Sequence, residues 1–320
     1  MSAALSSKVR RQPLRFLLGA AAVAALAATS ACSTTSKAAS GGSSAGGSKV
    51  IQVVAAENFW GSIATQLGGS HVKVSSIITN PDTDPHSYEP TAADGRTIAG
   101  ADYAITNGIG YDAWSDKLLA ANPAPNRTAL KVGDLVGKKE GDNPHQWYSH
   151  DSVYKVIDQI TADYKKMDPA DAAYFDSQKQ SFETQTLAQY NQLESDIKAK
   201  YADTPIGASE SIVTPLAESV GLKMLTPETF LDAESEGTDP TAADKSTIDQ
   251  QIATKAIKIY VYNTQNSNPD VVAQVNAAKA QGIPVAEVTE TLAPASSTFQ
   301  DWQTKELQGI ADALKQATGK

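Results

Sequence analysis

Short apolar strands alternate with helical segments in both halves of this chain, and a long helical stretch separates the two alternations. The first alternation begins with an apolar strand at residues 50–56, continues with a helical pattern at 59–67 and returns to a strand at 72–78. Strands that alternate with helices in this way form parallel βα units. The sequence therefore predicts an α/β fold whose first half is a parallel sheet flanked by helices.

The middle of the chain is helical for longer than one lobe requires. Residues 151–167 and 170–200 carry apolar side chains at helical spacing, and Pro169 stands where the second helix would start. A helix of roughly 30 residues is about 45 Å long. After Pro205 the alternation resumes. We expect two similar βα lobes joined by one long backbone helix, with an N-terminal α/β lobe at 49–150, linking helices at 151–202 and a C-terminal α/β lobe at 203–320.

The N-terminus has the pattern of an export signal. Basic residues precede an apolar run at 16–29, which is too short for a membrane-spanning helix of roughly 20 apolar residues. We therefore expect a signal peptide at 1–31. Cys32, the only cysteine, follows a stretch that resembles a bacterial lipobox, so lipidation is expected there; a free thiol is the alternative. Residues 32–48, rich in Ser, Gly and Ala, are expected to form a flexible tether.

The charge of the exported part excludes one class of partner. Without the four basic residues of 1–31, 23 basic residues stand against 36 acidic ones, a net charge of −13. This balance argues against nucleic acid as a partner, because binding to phosphates needs a basic surface. An acidic surface suits a cation as ligand, although it serves solubility equally well.

Two of the four histidines follow a proline in loop-like surroundings, namely His86 and His145. Neutral imidazole is the commonest side chain that binds transition metals, and a preceding proline stiffens the chain that presents it. Either pair alone is weak evidence, since a solvated loop histidine gives the same pattern. His150 is a third candidate, but its place at the start of the next helix favours a surface role.

The positions of acidic residues strengthen the case for a metal site. In α/β sheets, ligands bind beyond the carboxyl ends of the strands. His86 lies beyond the strand at 72–78, and Glu210 and Glu290 lie beyond strands of the second half. The sequence therefore predicts one cation between the lobes, held at roughly 2.0–2.2 Å by two imidazoles and two carboxylates, those of His86, His145, Glu210 and Glu290.

The motifs around these residues resemble those of the zinc- and manganese-binding lipoproteins that serve ABC importers, the ZnuA/TroA/PsaA-like family. The resemblance covers residues 49–314, and its most specific parts are Asp84-Pro85-His86-Ser87-Tyr88-Glu89-Pro90 and Asn143-Pro144-His145-Gln146-Trp147. It implies that this chain binds a metal ion for transport and is not an enzyme.

The same resemblance assigns residues to the site. His86 and His145 match the family's first two ligands, and Glu210, eleven residues before Gly221, matches the third. Glu290 stands where the family usually has Asp, which makes it a departure from the pattern. The resemblance also suggests supporting hydrogen bonds from three residues at or beside motif positions, although turn formation and helix initiation explain two of them equally well: Asn58, Asn107 and Asp112.

The resemblance further implies a monomer that is lipid-anchored to the outer face of the cell membrane and delivers Zn²⁺ or Mn²⁺ to a permease with its ATPase. The ligand types do not choose between these metals, because such a site binds several divalent ions. The alternatives are a surface adhesin or structural lipoprotein, and a secreted metallohydrolase. The chain lacks His-Glu-x-x-His, so this zinc-hydrolase motif does not support the last of these.

Overall fold

Two four-stranded parallel sheets organise the computed structural model, which describes residues 50–320. The first sheet has the order β2-β1-β3-β4, with β1 Ile51–Glu57, β2 Val72–Ile78, β3 Tyr103–Thr106 and β4 Thr128–Lys131. The second has the order β6-β5-β7-β8, with β5 Pro205–Ala208, β6 Lys223–Met224, β7 Ile259–Asn263 and β8 Val285–Val288. Both sheets therefore repeat one strand order, which confirms the prediction of two similar βα lobes.

Helices flank both sheets. In the N-terminal lobe these are α1 Asn58–Gly68, α2 Ala92–Ala99, α3 Ala113–Ala121 and α4 Val132–Val136. The linking helices are α5 His150–Met167, α6 Ala172–Ser181 and α7 Ala188–Tyr201. The C-terminal lobe has α8 Thr214–Val220, α9 Glu228–Ser235, α10 Ala242–Ala253, α11 Pro269–Ala280 and α12 Phe299–Thr318. Several begin at a Ser, Thr or Asn side chain that accepts a hydrogen bond from the first turn, as Thr91 does for α2.

The long linking helix differs from the prediction in one respect. The helical stretch expected at 170–200 is divided by a π-helical turn at Phe182–Thr186. There the backbone N–H of Leu187 donates to the carbonyl of Phe182 at 2.8 Å, five residues earlier. The wider turn adds one residue, which lets both Phe182 and Leu187 point into the core. The apolar spacing in the sequence gives no sign of this insertion.

One hydrophobic cluster includes buried residues of both lobes. Phe59 of α1 stacks on Trp147 with ring centroids 4.1 Å apart, and its ring lies 6.3 Å from Trp302 of α12. The same cluster includes buried residues of α5 and of the second sheet. Because closely packed interiors resist deformation, this shared core favours small local movements over a wide opening of the two lobes.

The expected signal peptide, the lipidation site Cys32 and the tether at 32–48 lie outside the described residues. Within residues 50–320, none of the helices combines the length and the apolar character needed to cross a membrane.

Candidate metal centre

The predicted site residues lie on four loops at the carboxyl ends of the strands. His86 belongs to the segment 79–91 between β2 and α2, and His145 precedes α5. Glu210 follows β5, and Glu290 follows β8. The structure brings three of them closely together: His86, His145 and Glu290 each offer one candidate ligand atom, and these atoms all lie within 4.8 Å of one another.

The carboxylate of Glu210 is held beside this group by two asparagines. Asn263 Nδ2 donates to Glu210 Oε1 at 2.5 Å and to Glu290 Oε1 at 3.1 Å, and Asn266 Nδ2 donates to Glu210 Oε2 at 3.0 Å. Glu210 is therefore not among the three residues whose candidate ligand atoms lie within 4.8 Å of one another, although the side-chain amide of Asn263 connects it to Glu290. Sequence reasoning missed both asparagines, yet Asn263 ends the buried strand β7, where polar residues often face a site.

Asn143 determines which ring nitrogen of His145 is available to bind a metal ion. Its Oδ1 accepts the backbone N–H of His145 at 2.9 Å, which orients the amide, and the same atom lies 2.9 Å from His145 Nδ1. Because this oxygen can only accept, Nδ1 carries the proton and Nε2 keeps its lone pair. His145 Nε2 is buried and has no hydrogen-bond partner, as metal coordination requires. The sequence signal was the asparagine two residues before the histidine.

Replacing Asn143 with Ala is expected to weaken metal binding about 10- to 100-fold, the usual cost of losing a residue that orients a metal-binding histidine. Isothermal titration with Zn²⁺ or Mn²⁺ measures this change. The matched control is Asn122→Ala, since the side chain of Asn122 donates only to the carbonyl of Leu118 at 2.9 Å, away from the site. Equal affinity in Asn143→Ala and wild type contradicts the role of Asn143.

The three residues expected to support the ligands hold backbone segments instead of ligand side chains. Asn107 Nδ2 donates to the carbonyl of Pro144 at 3.0 Å, directly before His145. Asp112 accepts the backbone N–H groups of Asn107 at 2.9 Å and Gly108 at 2.7 Å. Asn58 Oδ1 accepts the backbone N–H of Leu292 at 3.3 Å, two residues after Glu290. Their support therefore reaches the site through the main chain.

Tyr111 is a further residue that sequence reasoning missed. Its hydroxyl donates to Glu290 Oε2 at 3.2 Å, and its ring meets the ring of His86 edge to face, with centroids 4.8 Å apart. Tyr111 is fully buried. Tyr111 therefore contacts a candidate ligand from each lobe. The other carboxylate oxygen of Glu290, Oε1, accepts a hydrogen bond from Asn263.

Burial shifts the pKa values of the candidate ligands. It raises the pKa of Glu210 to about 7, and burial together with the neighbouring Glu210 and Asp84 raises the pKa of Glu290 well above its usual value. Burial also lowers the pKa of His145, with a further contribution from His86, and lowers that of His86. Both imidazoles are thus neutral near pH 7, while the carboxylates need a positive charge to ionise fully. A divalent cation supplies that charge.

We expect metal affinity to rise as pH increases from about 6 to about 8. The pKa of Glu210 is about 7 and that of Glu290 is raised, so protons occupy these carboxylates at lower pH and must leave when the ion binds. Each displaced proton lowers the affinity by up to about tenfold per pH unit below the pKa of its group. Calorimetric titration with Mn²⁺ in buffers of different ionisation enthalpy counts the released protons. A constant affinity over this range, with no proton release, contradicts the account.

An acidic mouth leads to the site. A cavity of about 460 Å³ is lined by residues of the segment 79–91, by the end of α9, and by Gln265, Asn266 and Glu290. None of the described residues that line it is Lys or Arg, whereas five are acidic: Asp82, Asp84, Glu234, Glu236 and Glu290. Negative charge at such an opening raises the local concentration of cations.

Several proteins named for binding metal ions are similar to this chain in sequence. The family model described as zinc-uptake complex component A, periplasmic, matches residues 53–313. The manganese-binding lipoprotein MntA of Bacillus subtilis is 28% identical over 132 residues, which are 39% of this chain and 43% of that protein. The zinc-binding lipoprotein AdcA of Streptococcus pneumoniae is 25% identical over 283 residues, 79% of this chain and 53% of that protein. The chain thus spans about half the length of the curated relatives it matches.

Solved structures share the fold. The Mn-bound S38A mutant of a periplasmic metal-binding protein from Candidatus Liberibacter asiaticus has a TM-score of 0.71 and 20% identity, with 82% of this chain and 99% of that chain covered. A mutant of the laminin-binding adhesin of Streptococcus agalactiae has a TM-score of 0.67 and 18% identity, with 83% and 100% covered. Since the family model spans most of the chain, this protein belongs to the ZnuA family, that of the periplasmic component A of zinc-uptake complexes.

Proposed function

We propose that this protein captures a divalent transition metal ion, Zn²⁺ or Mn²⁺, between its lobes and delivers it to the permease of an ABC importer. The observation that carries the proposal is the convergence of candidate ligand atoms of His86, His145 and Glu290 within 4.8 Å of one another. Glu210, joined to Glu290 through Asn263, would supply the fourth ligand. Relatives named for binding manganese, iron and zinc support this proposal.

These four ligands do not determine which metal the protein binds. Two imidazoles and two carboxylates suit Mn²⁺, Fe²⁺ and Zn²⁺, and intrinsic affinities favour Zn²⁺ over Mn²⁺ at almost any such site. Selectivity in the cell then depends on which metal is available and on how well the loops accept each coordination geometry. We therefore assign the substrate as a class and not as one element.

The remaining parts of the proposal concern the cell surface. Lipidation at Cys32 would anchor a monomer to the outer face of the membrane, and the tether at 32–48 would let lobes at 49–150 and 203–320, joined through 151–202, reach the permease and its ATPase. Support comes from relatives that are named lipoproteins. The negative charge of the exported part agrees with a cation as cargo and not with nucleic acid.

The two alternatives fit the site less well. An adhesin or structural lipoprotein has no need of convergent histidines and carboxylates, although one protein of similar fold is named a laminin-binding adhesin. A metallohydrolase needs an open coordination position for water and a nearby general base. Four protein ligands fill a tetrahedral site, so the arrangement favours binding and transfer over catalysis.

A cell-based measurement tests the proposal. Bacteria that lack this gene should accumulate less radioactive zinc or manganese at limiting concentration, and the wild-type gene should restore accumulation. The purified protein should bind one ion per chain. Unchanged accumulation of both metals in the deletion strain contradicts delivery to an importer, and metal-independent attachment to laminin would favour the adhesin.

A further inference from the structure

Gln265 uses its side-chain oxygen to hold the loop that carries Glu290. In the turn after β7, its Oε1 accepts the backbone N–H of Glu290 at 2.5 Å and that of Thr291 at 3.1 Å. The backbone N–H of Gln265 in turn donates to Asn263 Oδ1 at 2.9 Å. Because Asn263 also bridges Glu210 and Glu290, Gln265 is part of one rigid hydrogen-bonded frame around the carboxylates.

The side-chain nitrogen of Gln265 reaches the opposite lobe. Nε2 donates to Thr291 Oγ1 at 3.0 Å and to the carbonyl oxygen of Pro81. Pro81 belongs to the segment 79–91, which carries His86. Among residues 50–320, this is the one hydrogen bond found between that segment and the C-terminal lobe.

The segment 79–91 is otherwise lightly held. It contains turns and bends but neither helix nor strand. Its hydrogen bonds to the rest of its own lobe lie at three of its residues: Trp114 Nε1 donates to the carbonyl of Pro85 at 3.1 Å, the Tyr88 hydroxyl donates to Asp94 at 2.9 Å, and Thr91 caps α2. Regions with few such bonds open at lower free energy than core elements. His86 therefore lies on the part of the site best suited to move.

We propose that Gln265 is a positioning residue that latches the His86 segment across the mouth of the site and slows the release of a bound metal ion. The inference rests on the proposed function. Its physical basis is that one side-chain amide fixes Glu290 through its oxygen and the segment of His86 through its nitrogen. Breaking the bond to Pro81 frees the segment to withdraw His86 while His145 and the carboxylates stay in place.

The test compares rates of metal release. Gln265→Met keeps the length of the side chain but removes its hydrogen bonds. Dissociation of Zn²⁺ or Mn²⁺ into a chelator, followed by stopped flow, should be about three- to tenfold faster, the effect of losing one hydrogen bond of ordinary strength, that to Pro81. The matched control is Gln251→Met, because Gln251 Nε2 donates to the carbonyl of Leu225 at 2.7 Å within one lobe. The control should release metal at the wild-type rate.

A second readout separates latching from general weakening. Amide hydrogen exchange of residues 79–91 should accelerate in Gln265→Met, while the exchange of the core strand β1 stays as in wild type. If wild-type protein binds neither metal, the proposed function fails and the latch fails with it. If wild type binds metal and Gln265→Met releases it at the wild-type rate, only the latch is overturned. An equal acceleration in Gln251→Met also overturns it.

Discussion

Replacing His145 with Ala should lower the affinity for Zn²⁺ and Mn²⁺ by about a thousandfold or more, because removal of a residue that only supports a ligand already costs about 10- to 100-fold. His145 is fully buried, its Nε2 has no other partner, and Asn143 holds it in the tautomer that presents this nitrogen. Competition with a chelator of known affinity measures the loss.

The control for this change is His150→Ala. His150 stands five residues later and lies near Glu194 and Asp151, 3.8 and 3.6 Å from their carboxylate oxygens, away from the candidate ligands. We expect its replacement to leave metal affinity within about twofold of wild type, as for ordinary substitutions outside a site. If His150→Ala loses metal and His145→Ala retains it, the assignment of the ligands is wrong.

Replacing Phe59 with Ala should destabilise the whole protein by about 3–5 kcal/mol, the usual cost of removing a fully buried aromatic ring. Phe59 has no exposed surface and contacts the rings of Trp60, Trp147 and Trp302. Since these rings connect both lobes, the loss should appear in one unfolding transition that shifts as a unit. Urea unfolding followed by circular dichroism and tryptophan fluorescence measures it.

Val272→Ala provides the comparison for Phe59→Ala. Val272 is 41% exposed in α11, so its replacement should change the free energy of unfolding by no more than about 0.5 kcal/mol. Two separate transitions in Phe59→Ala, with only the first shifted, would show that the lobes unfold independently. Lobes that unfold independently could also open widely to release a metal ion.

The shared core bears directly on how metal could leave the site. Phe59, Trp147 and Trp302 pack together across the two lobes, so a wide opening of the lobes would have to break this packing. The segment 79–91 carries His86 and contains neither helix nor strand, so its movement would disrupt less packing. We therefore expect local movement of this segment, and not a wide opening of the lobes, to open the metal site.

Much of this organisation could be predicted from the sequence because its signals are local. The strand β1 and the helix α1 follow from the spacing of apolar residues between Ile51 and Gly68. His86 and His145 were identifiable because each follows a proline, and Glu210 and Glu290 because each follows a buried strand. The order of strands within each sheet, in contrast, depends on contacts between distant segments.

The supporting residues were harder to predict because their roles depend on tertiary contacts. Gln265 and Pro81 are 184 positions apart, and nothing in either sequence neighbourhood indicates their hydrogen bond. Asn143 and Asn263 have a clearer sequence signal, since Asn143 stands two residues before a histidine and Asn263 ends a strand. The π-helical turn at Phe182–Thr186 also lacks a local signal, because the apolar pattern around it fits an ordinary α-helix.

Side chains from both lobes are expected to hold a single metal ion, and a crystal structure of the metal-loaded protein with anomalous scattering tests this most directly. We predict one anomalous peak per chain, at roughly 2.0–2.2 Å from His86 Nε2, His145 Nε2 and carboxylate oxygens of Glu210 and Glu290. A peak at another group, such as His71 with Asp168 and Asp171, and none between the lobes would contradict the account.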